Sequence, residues 1–245
     1  MIVHVWLKVV KGGGRMYEWA SLREQVWQAA RSARSDGLVT GASGNFSALT
    51  ADGEWFAITP TALRYETMTV EDIVIVALDG AVVDGARRPS SEWRLHSAIY
   101  RRMPEVRSVA HTHAPYASSF AVLNEPIPPV LIEMVLLGGE VPVAPFALPG
   151  TDALGIGVAE ALVASGCAAC LLQSHGAVTV GATMEEAYVR SLYLEDAARI
   201  YHLARTVGEP RSVAAEAFAA LGSGDKPDSG RRSAVHTERV RNSLA

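Results

Sequence analysis

Two pairs of short apolar runs, each turned back on itself at an Asp-Gly, constrain this chain more than any other feature. Phe46 to Leu49 and Trp55 to Ile58 flank Asp52-Gly53, and Asp72 to Leu78 and Ala81 to Asp84 flank Asp79-Gly80. Asp-Gly between such runs is a hairpin signal, because the tight turn needs a positive φ that glycine supplies without a Cβ clash. Antiparallel strands are therefore expected early in the chain. Helical spacing surrounds them. Trp19, Leu22, Val26, Trp27 and Ala30 recur along one face from Tyr17 to Ser35, and Gly37 ends that segment. A helix is expected from Ser91 to Met103, closed by Pro104. Val106 to His113 reads as a strand, Ala114 to Leu123 as a helix, and Val141 to Phe146 as a short strand. Asp152 to Ser165 is helical, Ala169 to Gln173 and Ala177 to Val180 form a strand pair, and Met184 to Val207 is a long helix. Hairpin-joined strands mixed with helices predict a layered α/β or α+β domain rather than regular βαβ units.

Composition narrows the function classes. The 245 residues are 49% hydrophobic and 20% charged, enough to bury a full core without covalent staples. A net charge of −4 argues against a nucleic-acid partner, which calls for a basic surplus. No apolar run reaches the ~18 residues of a membrane span, so no membrane partner is expected and the protein is read as cytoplasmic. Cys167 and Cys170 form a lone C-x-x-C in an apolar run, with no second pair to complete a metal site, and read as buried structural thiols. Residues 1–15 form an N-terminal extension with a Gly12-Gly13-Gly14 break, explained by either an extra strand or an upstream start codon. Residues 221–245 are polar and lack an apolar period, so a mobile tail is expected there.

The residues that carry chemistry begin at His111-Thr112-His113. Side chains at i and i+2 of a strand share a face, with Cα atoms about 6.5–7 Å apart. Two imidazoles so placed can converge on one cation through bonds of about 2.0–2.1 Å. A distant His175, in Gln173-Ser-His-Gly-Ala177, offers a third ligand at a junction between apolar strands. Three protein ligands leave positions open on the ion, which suits a catalytic site. His96 is expected on the packing side of its helix, and His4, His202 and His236 at the surface or termini. Pro89-Ser-Ser-Glu92 lies at a helix mouth, where Ser90 or Ser91 is either a plain cap or part of an anion site. Thr59 and Thr61 of Ile58-Thr-Pro-Thr61 add hydroxyls at a strand end, and Gly44-Asn45 makes a polar turn. Neither a P-loop nor a dinucleotide fingerprint is present.

These motifs, in this order, resemble the class II aldolase/adducin family. The matching pieces are Gly44–Ser47, Ile58–Thr61, Pro89–Trp93, Ala110–Ala117, Ala144–Thr151 and Ser174–Gly181, spanning about Met16 to Val207. The resemblance implies an α/β, three-layer fold with a central, largely antiparallel mixed sheet flanked by helices, with residues 16–220 as the catalytic domain. It implies His111, His113 and His175 as ligands of zinc (manganese and cobalt being the alternatives), Glu92 as acid/base, and Asn45, Thr61, Ser90 and Ser91 as a phosphate pocket. It implies a homotetramer with active sites between subunits, acting on a sugar phosphate or sugar acid. An Asp is typical of the family's epimerases where Glu92 stands, so Glu92 points to carbon–carbon cleavage. Epimerisation, decarboxylation or dehydration at the same metal remains the alternative reaction, and a non-catalytic adducin-like module the alternative role. The chain departs from the aldolases at Ala62, where they carry glycine. Their tyrosines after the H-x-H helix and in the tail have no counterpart here, leaving Tyr116 and Glu133 as candidates for the second proton donor.

Overall fold

Both Asp-Gly hairpins form, and they lie side by side. The computed structural model describes residues 2–223. In it β1 (Asn45–Leu49) pairs with β2 (Trp55–Ile58), β2 with β3 (Val74–Ala77), and β3 with β4 (Val82–Asp84), all antiparallel. On the other side of β1 comes β5 (Ser108–Thr112), then β8 (Gly176–Gly181), β7 (Ala169–Leu172) and β6 (Val143–Ala144). Only the last pair, β6 with β7, is parallel. The sheet is thus mixed, largely antiparallel and eight-stranded, in the order β4-β3-β2-β1-β5-β8-β7-β6.

Period-two alternation makes this a three-layer structure. Ala57, Ile75, Ala110, Leu171 and Ala177 face one core, packed against Val26 and Ala30 of α1 (Ile2–Ser35), Phe120 of α3 (Pro115–Leu123) and Leu194 and Ala198 of α5 (Met184–Val207). Phe56, Ile58, Val76, Val109, Leu172 and Val178 face the other, against Leu95 and Ile99 of α2 (Trp93–Arg102) and Val158 and Leu162 of α4 (Asp152–Ser165). Large side chains this deeply buried contribute ~1.5–3 kcal/mol each, which explains why the strands read as nearly continuous apolar runs. Cys167 and Cys170 are buried and unlinked, and burial pushes the Cys170 thiol up to about 12.

Several expectations are corrected. α1 runs as helix through Gly12-Gly13-Gly14 instead of breaking there, and residues 2–15 form no strand. Glycine costs a helix roughly 1 kcal/mol relative to alanine but does not forbid it. The strand expected over Val141 to Phe146 shrinks to Val143–Ala144, because Pro142 and Pro145 have no N–H to give a ladder. An unexpected helix, α6 (Ala215–Ser223), takes up the first residues assigned to the tail. The mobile tail over 224–245, with His236, lies outside the described residues. Among the described residues no helix is long and apolar enough to cross a membrane.

Candidate active site

Strand register brings the site together. In β5 the side chain of His111 lies on the same face as Val109, toward α2, and pairs across the sheet with Asn45 of β1 and Val178 of β8. His113 follows just past the end of β5. His175 sits in the turn between β7 and β8, where Ser174 takes a φ of 56°. This left-handed turn is tight, and Gly176 after it is required. A Cβ at Gly176 would stand 2.4 Å from the Thr112 carbonyl and 3.0 Å from the His113 ring. Gly44 is under the same pressure at the start of β1, with a φ of 74° and the His111 carbonyl 2.6 Å from where its Cβ would be.

The three imidazoles converge. Their ring centroids are 4.8, 4.9 and 5.0 Å apart, and their facing nitrogens all lie within 4.8 Å of one another. His111 Nδ1 lies 3.0 Å from the Ala177 carbonyl, to which it donates, so its Nε2 carries the lone pair. That Nε2 is 3.1 Å from His113 Nε2. Nitrogens bound tetrahedrally to one ion at ~2.0–2.1 Å would be separated by roughly 3.3 Å, so this donor set fits a metal ion. Glu92 faces the same point, with Oε2 3.3 Å from His111 Nε2 and Oε1 3.4 Å from His175 Nε2. Its Oε1 is buried and has no hydrogen-bond partner among the described residues, as expected of an oxygen aimed at a cation or substrate. Burial by itself would raise the Glu92 carboxyl, but the positive charge that the His111 and His175 imidazoles carry when protonated, and the Asn45 amide, bring it well below the usual carboxylate range. Burial, reinforced by His111, pushes His113 down to about 3 and His175 down to about 4. Both rings are therefore neutral at physiological pH, the form that binds metal.

The hydroxyl-bearing turns meet beside this cluster. Pro60 and Pro89 form an antiparallel bridge, Ser90 N donates to the Thr59 carbonyl at 3.0 Å, and Thr61 N donates to the Arg88 carbonyl at 3.1 Å. Thr59 Oγ1 accepts from Phe46 N at 3.2 Å, and Tyr65 pins the Gly44 carbonyl at 2.7 Å. Asn45, Thr61, Ser90 and Glu92 thus come from three motifs far apart in sequence to one end of the sheet. Ser90 is buried and its Oγ accepts from Glu92 N at 3.2 Å, whereas Ser91 is exposed. Asn45 is buried with its amide engaged at both ends, by Glu92 at 2.8 Å and by His96 at 2.5 Å. His96 was expected to do no more than pack. Its link to Glu92 was legible in Glu92-Trp-Arg-Leu-His96, since i and i+4 share a helix face. Tyr116 lies at the start of α3, its ring against His202, and Glu133 lies exposed on a 3-10 turn.

The sequence matches the family described as Class II Aldolase and Adducin N-terminal domain over residues 24–202, most of the chain. The chain belongs to the class II aldolase/adducin family. Among its relatives is the 5-deoxy-D-ribulose 1-phosphate aldolase of Bacillus thuringiensis serovar kurstaki, 33% identical over 77% of this chain and 88% of the relative. Another is the L-fuculose phosphate aldolase of Escherichia coli O6:H1, 36% identical over 72% of this chain and 80% of the relative. The solved structure of an L-fuculose 1-phosphate aldolase superposes with a TM-score of 0.80 at 29% identity, covering 83% of this chain and 95% of that one. The chain is an enzyme of the class II aldolase type, a lyase, and its histidine trio could hold the metal ion on which such enzymes depend.

Proposed function

We propose that this class II aldolase cleaves a phosphorylated ketose into dihydroxyacetone phosphate and an aldehyde, with zinc as its ion. The observation that carries the reading is the convergence of His111, His113 and His175 on one another, with the buried carboxylate of Glu92 against His111 and His175. The three imidazoles would hold the ion, which when bound would draw electron density from the substrate's oxygens and stabilise an enediolate. On cleavage the hydroxyl on the carbon that becomes the aldehyde gives its proton to a second acid/base group, for which Tyr116 and Glu133 are the candidates, and the electron pair of the broken carbon–carbon bond stays with the phosphorylated half. Glu92, as the acid, gives that carbon its proton, and takes it back in the condensation direction. Asn45, Thr61, Ser90 and Ser91, with the backbone amides around them, would anchor the phosphate and fix the reacting carbon beside Glu92. A homotetramer in the cytoplasm, with sites between subunits, belongs to the same reading.

A panel of L- and D-ketose 1-phosphates, with product analysis and metal content measured on the same preparation, tests it. Release of dihydroxyacetone phosphate by protein carrying about one divalent ion per chain is expected. Isomerisation without carbon–carbon cleavage would assign the site to epimerisation. Protein lacking both bound metal and turnover would fit a non-catalytic assembly module.

A further inference from the structure

One face of α2 and one face of β1 meet in a single line of hydrogen bonds that ends on Glu92. Glu92, His96 and Tyr100 stand at i, i+4 and i+8 of the helix and its cap, and Asn45 and Ser47 at i and i+2 of the strand. The Tyr100 hydroxyl is 2.6 Å from Ser47 Oγ, and Ser47 Oγ is 2.6 Å from His96 Nδ1. His96 Nε2 is 2.5 Å from Asn45 Oδ1, and Asn45 Nδ2 is 2.8 Å from Glu92 Oε2. Every group in the line is buried, His96 and Ser47 completely.

Chemistry fixes the direction of each bond. The Glu92 carboxylate only accepts, so Asn45 must turn its amide nitrogen to Glu92 and its carbonyl oxygen to His96. That oxygen also only accepts, so the His96 hydrogen sits on Nε2. Burial pushes the His96 imidazole down to about 3, so the ring is neutral and Nδ1 accepts from Ser47. Ser47, having donated its hydrogen, accepts from Tyr100. The charge on Glu92 therefore sets the position of four hydrogens in sequence.

We propose that His96 is a positioning residue which, through Asn45, commits Glu92 Oε2 to accepting a hydrogen bond and so makes Oε1 the oxygen that carries the proton to and from substrate. This rests on the aldolase reading of the site. Oε1 is the carboxylate oxygen on the His175 side, buried and without a hydrogen-bond partner among the described residues. A proton on Oε2 would point either at the Asn45 N–H or at His111 Nε2, whose lone pair would be given to the metal. Relieving that conflict would require the Asn45 amide to flip, the His96 hydrogen to move to Nδ1 and both hydroxyls to turn, in a dry environment where mispaired polar groups are costly. A proton on Oε1 disturbs none of this. In cleavage the Oε1–H bond breaks as the new C–H bond forms, and the carboxylate left behind is the one the line already favours.

His96→Leu and His96→Gln in the metal-loaded enzyme separate positioning from packing. Leucine fills the ring's space but leaves Asn45 Oδ1 with no donor, whereas the glutamine amide nitrogen can stand in for Nε2–H. With His96→Leu, kcat is expected to fall about ten- to a hundredfold while KM and metal per chain hold. His96→Gln should restore most of the loss. A leucine variant with wild-type kcat, or a glutamine variant as impaired as leucine, would overturn the proposal. Nitrogen-15 NMR of histidine-labelled wild-type protein tests it independently of turnover and of the variants' folding. His96 should show a protonated Nε2 and a bare Nδ1, and the opposite tautomer would sink the proposal. Failure of the aldolase reading would look different: a wild-type protein inactive on every ketose phosphate, whatever the state of His96.

Discussion

Ala62 shows how a single residue can carry a backbone strain that can be measured. Its φ is 58°, a left-handed conformation that costs a residue with a Cβ roughly 1–2 kcal/mol and glycine very little. Ala62→Gly is expected to stabilise the protein by about 0.5–1 kcal/mol, since glycine's extra unfolded-state freedom offsets part of the gain. Thermal melts would check this, and an unchanged or lower Tm would contradict it. The residues most legible in the sequence were those whose chemistry has little other use, namely His111, His113 and His175. His96 was less legible, because a histidine on a helix face reads as packing until its neighbours are known. Ser47 and Tyr100 were invisible for the same reason, since a buried hydroxyl has no signature of its own in sequence. The structure turns Asn45 toward Glu92, which spacing alone had no means of indicating.

At the scale of elements, caps decided how well boundaries were read. Both α4 and α5 run over the residues expected, because each begins after a threonine whose hydroxyl accepts from the first turn and ends at a glycine. In α5 Thr183 Oγ1 accepts from Glu186 N while Glu186 Oε2 accepts from Ala182 N, a reciprocal cap. Thr183→Ala is expected to cost about 1 kcal/mol in chemical denaturation and leave turnover intact. The end of β7 and the start of β8 are a stricter matter. Because Gly176 packs against the Thr112 carbonyl, Gly176→Ala would force β8 away from β5 and separate His175 from His111 and His113. Metal affinity should then fall by tenfold or more, with activity recovering as metal is added in excess. An alanine variant with wild-type affinity would show that the turn does not set the site. Elements without such markers were missed. The 3-10 turn over Ile132–Leu137 and helix α6 lack a side-chain cap in the sequence pattern, and β6 was overextended because the flanking prolines were read as strand.

For the molecule as a whole, the site and the stability are linked through protons. His113 and His175 have an ordinary value of 6.5 and are held at about 3 and about 4 in the folded chain, and His96 likewise at about 3. Below about 6.5 the unfolded chain takes up protons that the folded chain refuses, so these groups favour the fold fully above that pH and progressively less as pH falls toward 3. Glu92, held below its ordinary 4.5, acts with the same sign at the acid end of the range. The denaturation midpoint of the metal-free protein should therefore fall between pH 7.5 and pH 5, and a flat profile would contradict the burial of these rings. A metal ion held by the three histidines would add to stability above this, because it would bind only the folded arrangement of ligands. A layered mixture of hairpin strands and helices was legible from the residues and its three-layer form only from the family resemblance, while the meeting of distant turns at one end of the sheet depended on strand order. The most direct measurement is cleavage of a ketose 1-phosphate by wild-type and Glu92→Gln protein, with divalent metal determined in both. The account predicts about one ion per chain in each and a loss of roughly 10²–10⁴-fold in turnover for the variant. Full activity in Glu92→Gln, or an active wild type without stoichiometric metal, would contradict it.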